Sequence, residues 1–188
     1  MSLLFAGIIL WFVAHSFPAI APGQRGALVE KLGEQPYRGA FSLVIVASLV
    51  MIVFGWKHAT PSAIYVPPLG PGIVPSVLVL VGLVLFFASK MSGNIKRVIR
   101  HPQMAGTILW AVAHLLTNGD SRSVVLFGGM AFWALLEIFM INRREGPRTA
   151  TQTASGKFDL IAVVIGGVVF AVVGHFHLQL FGVSPLPA

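Results

Sequence analysis

Two histidines of this chain each follow a tryptophan by four residues inside an apolar segment. The pairs are Trp11 with His15 and Trp110 with His114. Because residues four apart share one face of a helix, each imidazole lies beside an indole ring. Imidazole is a common metal ligand, and an ionisable side chain inside a membrane helix is costly unless it has a role. Both histidines are therefore candidate ligands of a metal or cofactor, with a hydrogen-bonded contact between helices as the alternative.

A third histidine, His101, stands at the start of the segment that carries His114. It follows Arg100 and precedes Pro102, a residue suited to the first helical position. A helix N-terminus beside an arginine favours an anion such as a carboxylate or phosphate. The sequence therefore predicts either an anion site or a helix-start cap at this position.

Polar side chains recur at steps of three and four along the same segment and predict one polar helical face. They are Gln103, Thr107, Trp110, His114 and Thr117. In lipid such a face turns toward the interior of a bundle or a cavity, or forms a hydrogen-bonded seam with a neighbouring helix.

Glu137 is the only acid well inside an apolar segment. We expect its carboxyl group to pair with a histidine, an arginine or a polar ligand, or to form a structural ion pair. The remaining histidines, His58, His175 and His177, lie near segment ends and are interpreted as external or interfacial side chains.

The sequence lacks the short motifs of several enzyme classes. HExxH, P-loop, GxGxxG and GxSxG patterns are absent, and the lack of cysteine excludes disulfides, thiolate ligands and a cysteine nucleophile. The histidines are too scattered in predicted depth for a zinc hydrolase, which needs several ligands at one level. Two histidines from different helices suit haem better, because axial imidazoles hold the iron from opposite faces. Trp11 and Trp110 would then cover the porphyrin.

The composition indicates an integral membrane protein. Of its 188 residues, 56% are hydrophobic and 10% are charged, against about 25% charged in a soluble domain. No persistent alternation of period two is present, which disfavours a β-barrel. We predict an all-α bundle of six transmembrane helices that forms a single domain over residues 1–188. The apolar segments are 2–20, 39–56, 73–90, 102–117, 122–141 and 158–181.

The basic residues predict how this bundle is oriented in a bacterial inner membrane. Of the 13 Lys and Arg residues, all but Lys57 and Arg122 lie in loops 21–38, 90–101 and 142–157. Those three loops share one side of a six-span bundle, so the positive-inside rule makes them cytoplasmic and places both termini outside. The net charge of +7 is then a topological signal, and nucleic acid is not expected as a partner.

Several motifs of the chain resemble the NnrU family, and the similarity covers nearly the whole sequence. The motifs are His15-Ser16, Leu32-Gly33-Glu34 with Tyr37-Arg38-Gly39, Arg100-His101-Pro102, Trp110 with Ala113-His114-Leu115, and Asn118-Gly119-Asp120. The run from Arg100 to His114 is also similar to the 15-cis-zeta-carotene isomerases, a related eukaryotic family.

This resemblance implies a membrane protein that holds haem b through histidines. Carried over by motif, His15 and His114 are the axial-ligand and catalytic candidates, with His101 next. Because the helices run in opposite directions, His15 falls nearer the cytoplasmic side and His114 nearer the outside, so His15 with His101 is the alternative pair matched in depth. The isomerases carry a cysteine three residues before the second histidine; here that residue is Ala111, which excludes a thiolate ligand. The residues themselves add Arg100, Trp110 and Glu137 as cofactor-binding candidates.

Three functions follow from these resemblances. The first is a haem-dependent cis-trans isomerase that acts on a polyene or a similar apolar lipid. The second is a non-enzymatic haem protein of nitric-oxide metabolism or denitrification, with which the NnrU family is linked. The third is an isoprenylcysteine-type membrane methyltransferase, whose fold also uses Arg-His-Pro at a helix start. The paired glutamates and the tyrosine-containing tail of those methyltransferases are absent from this chain, which ranks that function last.

Overall fold

The computed structural model describes residues 1–147 and 154–185, which form α-helices joined by short connections. The helices are α1 (Ser2–Ile20), α2 (Pro22–Leu32), α3 (Glu34–His58), α4 (Ile73–Ala88), α5 (Asn94–Val98), α6 (Pro102–Thr117), α7 (Ser121–Glu145), α8 (Gly156–His175) and α9 (His177–Phe181). Within these residues the one β-type pairing is an isolated bridge between Ala63 and Asp120. The all-α prediction is confirmed. Arg148, one of the basic loop residues in the sequence, lies outside the described residues.

Four helices, α1, α3, α7 and α8, are long and apolar enough to cross a membrane. The helices α4 and α6 have 16 residues each. At about 1.5 Å per residue each covers roughly 24 Å, less than the roughly 30 Å of a hydrocarbon core. Large apolar side chains are exposed along the long helices, such as Leu43 at 71% and Leu160 at 65%. All six predicted apolar segments are therefore helical, and four of them have the length and composition of a span.

The helix α7 occupies the centre of the bundle. It contacts α1 on one side and α6 on the other, while α3 packs on α1, α4 packs on α6 and α8 packs on α4. The helices α1 and α7 run in the same direction, because Gly129 lies near Ile8 and the Trp133 ring lies 5.4 Å from the Trp11 ring. The central helix therefore has α1 and α6, the two helices that carry the tryptophan–histidine pairs, as its neighbours.

The connections gather at two opposite ends of the bundle. One end holds α2, the loop around α5 and the C-terminus of α7, and this end carries most of the basic residues. The other end holds the connection 59–72 and the turn 118–120, which are hydrogen-bonded to each other. The basic loops of the described chain thus share one end, as the charge pattern predicts.

Glycines allow the closest helix crossings. A Cβ on Gly82 of α4 would lie 2.8 Å from the carbonyl oxygen of Gly106, and a Cβ on Gly106 of α6 would overlap the carbonyl oxygen of Gly82. Between α1 and α3, a Cβ on Gly7 would lie 2.8 Å from the Ile52 backbone nitrogen. Small residues at such crossings let helix backbones approach and gain van der Waals contact, which drives helix association in lipid.

Two helices lie where the sequence predicts only loops, and one predicted segment is divided. The helix α2 begins with Pro22 at its first position, which suits the fixed φ of proline. Its mean hydropathy is low, so a search for apolar segments passes over it, and the five-residue α5 is too short to show a periodicity. The last segment, predicted as one helix over 158–181, is interrupted at Phe176, where α8 ends and α9 follows.

The prolines near residues 57–75 predict an extended, non-helical connection. Residues 59–72, called here the external strap after their predicted side of the membrane, contain no helix, whereas the two ends of the predicted range belong to α3 and α4. The strap is fixed to the C-terminal end of α6. The Tyr65 hydroxyl donates to the carbonyl oxygens of Leu115 and Asn118, and the Leu69 N–H donates to the Leu116 carbonyl oxygen. The last carbonyl groups of a helix have no partner within the helix, so the strap supplies the missing donors. The strap therefore covers the end of α6 just beyond His114.

Candidate functional site

The His114 side chain lies between α6 and α7 in a cluster of aromatic rings. Its Nδ1–H donates to the carbonyl oxygen of Trp110, with 2.7 Å between the nitrogen and the oxygen. The Phe127 ring stacks on the imidazole with centroids 4.3 Å apart and planes at 22°. Because Nδ1 carries the proton in this bond, Nε2 keeps its lone pair. This is the tautomer in which histidine binds a metal through Nε2.

Phe127 lies on a π-helical segment of α7, Val124–Gly128. One extra residue per turn changes the direction in which side chains project, and such segments are frequent at functional sites. The segment follows directly on a capped helix start, where Asp120 accepts hydrogen bonds from the N–H groups of Arg122 and Ser123. The sequence pattern gives no sign of the extra residue, so the contact between Phe127 and His114 was not predicted.

The His15 side chain lies in a second aromatic cluster, where α1, α3 and α7 meet. Its Nδ1–H donates to the Trp11 carbonyl oxygen at 3.0 Å, so its Nε2 also keeps a lone pair. The imidazole centroid lies 4.1 Å from that of Trp11, 5.0 Å from that of Trp133 and 6.0 Å from that of Phe41. The two tryptophan–histidine pairs thus share the same Nδ1 hydrogen bond on helices that run in opposite directions, although their ring centroids lie 4.1 and 5.1 Å apart.

The two clusters lie at different levels of α7. His114 contacts Phe127 and His15 contacts Trp133, and these α7 residues are separated by about 9 Å along an ideal helix axis. No contact between the rings of His15 and His114 is present in residues 1–147 and 154–185. The structure therefore sets each imidazole against the central helix. Binding of one iron by both histidines stays a prediction.

Most of the buried polar side-chain atoms without a hydrogen bond lie on residues around the His15 cluster. They are Nε1 of Trp11, Nε1 of Trp133, Oε1 of Glu137 and the hydroxyl of Tyr37. Buried polar groups are normally paired, so each such atom calls for an explanation. Within the described residues Glu137 makes no ion pair with a histidine or arginine, and its expected pairing with a polar ligand stays a prediction. The residue is 8% exposed.

His101 lies at the end of the bundle that carries the basic loops, apart from the two aromatic clusters. Its Nε2–H donates to the Asn142 side-chain oxygen at 2.8 Å, and it makes no side-chain hydrogen bond to the start of α6. His101 therefore occupies the N-cap position of α6, as the alternative predicts, but it caps the helix only through its backbone carbonyl oxygen, which accepts from the Ala105 N–H. The neighbouring Arg100 lies 3.7 Å from the Glu145 carboxylate, with the arginine side chain 26% exposed. Both residues join the start of α6 to the end of α7.

The polar face of α6 makes a hydrogen bond outside the helix, where the Gln103 side-chain oxygen accepts from Lys90, just beyond the end of α4, at 3.1 Å. The hydroxyl groups of Thr107 and Thr117 donate to carbonyl oxygens of α6 itself, three or four residues back. The contact surface of α6 consists instead of small residues, with Gly106 buried, Ala111 at 0% and Ala113 at 1% exposure. The prediction of a polar interior wall is thus only partly correct. Trp110 and His114 face α7, and the threonine hydroxyl groups form hydrogen bonds within α6.

Asp159, near the start of α8, holds the loop before α6 in place. Its carboxylate accepts hydrogen bonds from the backbone N–H groups of Asn94 and Ile95 at 2.9 and 3.0 Å, and from the Asn94 side-chain amide at 3.0 Å. The N–H groups at the start of a helix have no partner within it, and a carboxylate there is favoured. This Asp159 clamp was missed, although an acid in the first turn of an apolar helix is visible in the sequence.

Alanine at Gly93 is expected to break the Asp159 clamp, because a Cβ there would overlap Asp159 Oδ1. The loop should open more often, and trypsin should cleave after Arg97 about tenfold faster in the solubilised protein. Gly156→Ala is the matched control, since its Cβ would meet only the Asn94 side-chain nitrogen, at 3.8 Å. Equal cleavage rates in both variants would show that the clamp does not order the loop.

A zinc-type centre is not formed by the described residues. No group of three or more His, Asp or Glu side chains converges there on a point that could hold a metal ion. His58 is exposed and His177 is partly buried, and both donate through Nδ1 to backbone carbonyl oxygens. The two histidines that lie inside the aromatic clusters of the bundle are His15 and His114.

The long apolar helices with exposed apolar side chains define a membrane protein of several helices. Its two histidine–aromatic clusters place candidate cofactor ligands on either side of the central helix α7. The chain belongs to the NnrU family, since the family model described as NnrU protein matches residues 3–185. Comparison with curated proteins and with solved structures gives no match. The resemblance to the NnrU family is confirmed, while the relation to the carotene isomerases stays a prediction.

Proposed function

We propose that this NnrU family protein crosses a bacterial cytoplasmic membrane six times, with both termini outside. The charge pattern supports this orientation, because all but Lys57 and Arg122 of the basic residues belong to loops predicted to be cytoplasmic. The helices α4 and α6 would then be the short spans. Their glycine crossing and the strap that extends the external end of α6 support a position inside the bundle.

Single cysteines test this topology cleanly, because the chain has none of its own. A membrane-impermeant maleimide should label Thr60→Cys in intact spheroplasts. It should label Gln24→Cys and Arg97→Cys only after permeabilisation. Those three positions are exposed, and Gln24, Thr60 and Arg97 follow the first, second and third predicted spans. Labelling of Arg97→Cys from outside would show that α4 does not span, and reversed labelling of all three would invert the topology.

We also propose that the protein binds haem b through His15 and His114. The observation that carries this proposal is the shared geometry of the two imidazoles. In each, Nδ1–H is held by a carbonyl oxygen one turn earlier and Nε2 keeps its lone pair, inside a cluster of large aromatic rings. Such donor chemistry fits haem ligation, since the bond to Nδ1 fixes the tautomer and the ring plane of a ligating histidine. A basic bundle end with Arg100 offers charge for propionate groups.

The proposed activity is cis-trans isomerisation of a polyene or similar apolar lipid. Bound haem would supply an iron centre that can engage a double bond. The residues of the chain supply the surroundings. Trp110 and Phe127 exclude water beside His114, Trp11 and Trp133 do so beside His15, and the external strap closes the end of α6. A substrate dissolved in the membrane would then reach the clusters laterally between helices.

A second candidate function is a non-enzymatic haem protein that senses or handles nitric oxide. One observation favours it. Ala111 is fully buried at 0% exposure, in the position where the isomerases carry a cysteine, so this chain has no thiol to take part in ligand exchange there. A haem held only by imidazoles can still bind a small gas when one imidazole is displaced.

An absorption spectrum of the purified protein, oxidised and then reduced with dithionite, tests both candidates. The protein expressed with ample haem should show the Soret band of an imidazole-ligated haem. A colourless protein would overturn both functions. Conversion of 15-cis-zeta-carotene in a carotenoid-producing host then distinguishes them, because turnover supports the isomerase, whereas a gas-dependent spectral shift without turnover supports the nitric-oxide protein.

A further inference from the structure

Three of the unpaired buried polar atoms lie on adjacent residues of α1 and α7. The rings of Trp11 and Trp133 meet edge to face with centroids 5.4 Å apart, and neither indole N–H has an acceptor. Glu137 follows Trp133 by one helical turn, on the same face. The Trp133 indole lies near the carboxyl group without the geometry of a hydrogen bond, and Oε1 is buried without a donor. Trp133 is 3% and Glu137 8% exposed.

A fourth unpaired atom extends this set toward the basic end of the bundle. The hydroxyl group of Tyr37 is buried without a partner, and the residue is 9% exposed. Its ring stacks on Phe41, which contacts the His15 imidazole. Donors and an acceptor thus occur together where α1, α3 and α7 meet, and leaving them unpaired in an apolar interior costs stability.

Whether each of these groups donates or accepts a hydrogen bond determines which chemical group can bind among them. An indole N–H can only donate, whereas a carboxylate oxygen accepts and a phenol hydroxyl does both. A carbonyl group on a ligand would satisfy the indoles, but it would pair with Glu137 only when the carboxyl group is protonated, whereas a hydroxyl pairs with it in either state. A hydroxyl group accepts from an indole through its oxygen and donates its hydrogen to the carboxyl oxygen. A hydroxyl is therefore the smallest group that pairs with both kinds of atom.

The surroundings of these atoms are apolar and face lipid. Phe132, next to Trp133, is 61% exposed and stacks on Phe12 of α1 with centroids 6.2 Å apart. Val13 is 60% exposed on the neighbouring turn of α1. A long apolar chain whose polar end lay among the unpaired atoms would pass between α1 and α7 and continue in the membrane. Entry requires the two phenylalanine rings to part.

We propose that Trp11, Trp133 and Glu137 form a binding site for a lipid-phase alcohol, an apolar chain that ends in a hydroxyl group. The indoles donate to the hydroxyl oxygen, and the hydroxyl hydrogen is donated to the Glu137 carboxyl group. His15 lies beside this site and is left free for another ligand. Binding of the alcohol does not require iron, so this proposal can be tested independently of the proposed haem.

Equilibrium binding of a matched pair of probes tests the site. Radiolabelled geranylgeraniol, an isoprenoid alcohol, is titrated into the full-length protein in lipid nanodiscs, and the hydrocarbon with the same skeleton but no hydroxyl competes with it. We expect saturable binding of the alcohol and at least about tenfold weaker binding of the hydrocarbon, the effect of about one net hydrogen bond. Equal affinities would show that water alone pairs with these atoms and would overturn the proposal.

Tryptophan variants test whether these residues cause the preference for the alcohol over the hydrocarbon. Trp133→Phe and Trp11→Phe keep an aromatic ring and remove the N–H donor. Each should weaken binding of the alcohol toward that of the hydrocarbon, while hydrocarbon binding stays unchanged. Trp56→Phe is the control, because that ring contacts Arg122 and Phe127 instead. Retention of the full preference in both test variants would contradict the site. If Trp133→Phe does not fold, the wild-type comparison and Trp11→Phe decide the question.

Discussion

Alanine in place of His114 is expected to reduce haem retention by more than about tenfold. Loss of a partner that only orients a metal ligand costs roughly 10–100-fold in affinity, and loss of the ligand itself costs more. In the wild-type protein the imidazole is fixed from two sides, by the Trp110 carbonyl oxygen and by the stacked Phe127 ring. The ratio of Soret to protein absorbance after size-exclusion chromatography measures the loss.

His58 provides a matched control for this experiment. Its Nδ1–H also donates to the carbonyl oxygen four residues earlier, at 2.8 Å, and its ring stacks on Phe54. The local geometry is therefore the same, but the side chain is exposed at the end of α3. His58→Ala should keep its haem. Equal losses in His58→Ala and His114→Ala would show that imidazole removal acts through folding and not through ligation.

His15→Ala separates the pairings that the sequence leaves open. Loss of the six-coordinate signature in both His15→Ala and His114→Ala supports one iron held by these two histidines. Retention in His114→Ala with loss in His15→Ala supports the pair of His15 and His101 instead. The structure holds His101 against Asn142 at the bundle end, so the second outcome requires that hydrogen bond to break.

The positions of the long helices could be predicted from the sequence because burial in lipid requires continuous apolar segments. The segment 102–117 coincides with α6, and 122–141 lies within α7. The helix α2 at the bundle end could not be found in this way. It holds charged residues such as Arg25 and Lys31, and hydropathy does not distinguish a polar helix at the bundle end from a loop.

The local geometry of the candidate ligands was also predictable, and their surroundings were not. A spacing of four residues on one helix fixes the contact of Trp110 with His114 before any tertiary structure forms. The contacts with Phe127 and Trp133 come from α7 and depend on the π-helical segment and on the direction of α1 relative to α7. Neither feature leaves a periodic signal.

The external strap shows why loops over a membrane bundle resist prediction from sequence. Its prolines predict a non-helical chain, and this prediction is confirmed for residues 59–72. The pairing of Tyr65 with α6 follows from the carbonyl groups that α6 exposes at its C-terminus, near Gly119, where a Cβ would overlap the Tyr65 carbonyl oxygen. Such pairing depends on where two distant segments meet in space, which no local pattern of residues encodes.

Alanine in place of Gly106 is expected to destabilise the bundle by about 1–3 kcal/mol, the usual cost of overfilling a well-packed contact. The added Cβ would overlap the carbonyl oxygen of Gly82, and backbone atoms of two helices cannot move aside as a flexible side chain does. The helix α6 should shift away from α4. Because α6 carries His114, haem retention should fall together with the midpoint of thermal denaturation.

Gly167→Ala introduces the same methyl group on α8, where no heavy atom lies within 4 Å of the added Cβ. This variant should unfold at the wild-type temperature or slightly above it, because alanine favours a helix over glycine. Thermal denaturation followed by the fraction of monodisperse protein on size-exclusion chromatography compares the two variants. Equal midpoints would mean that α4 and α6 do not pack through their glycines. A lower midpoint for Gly106→Ala with unchanged haem content would mean that the His114 cluster is held by α7 alone, independently of the α4 contact.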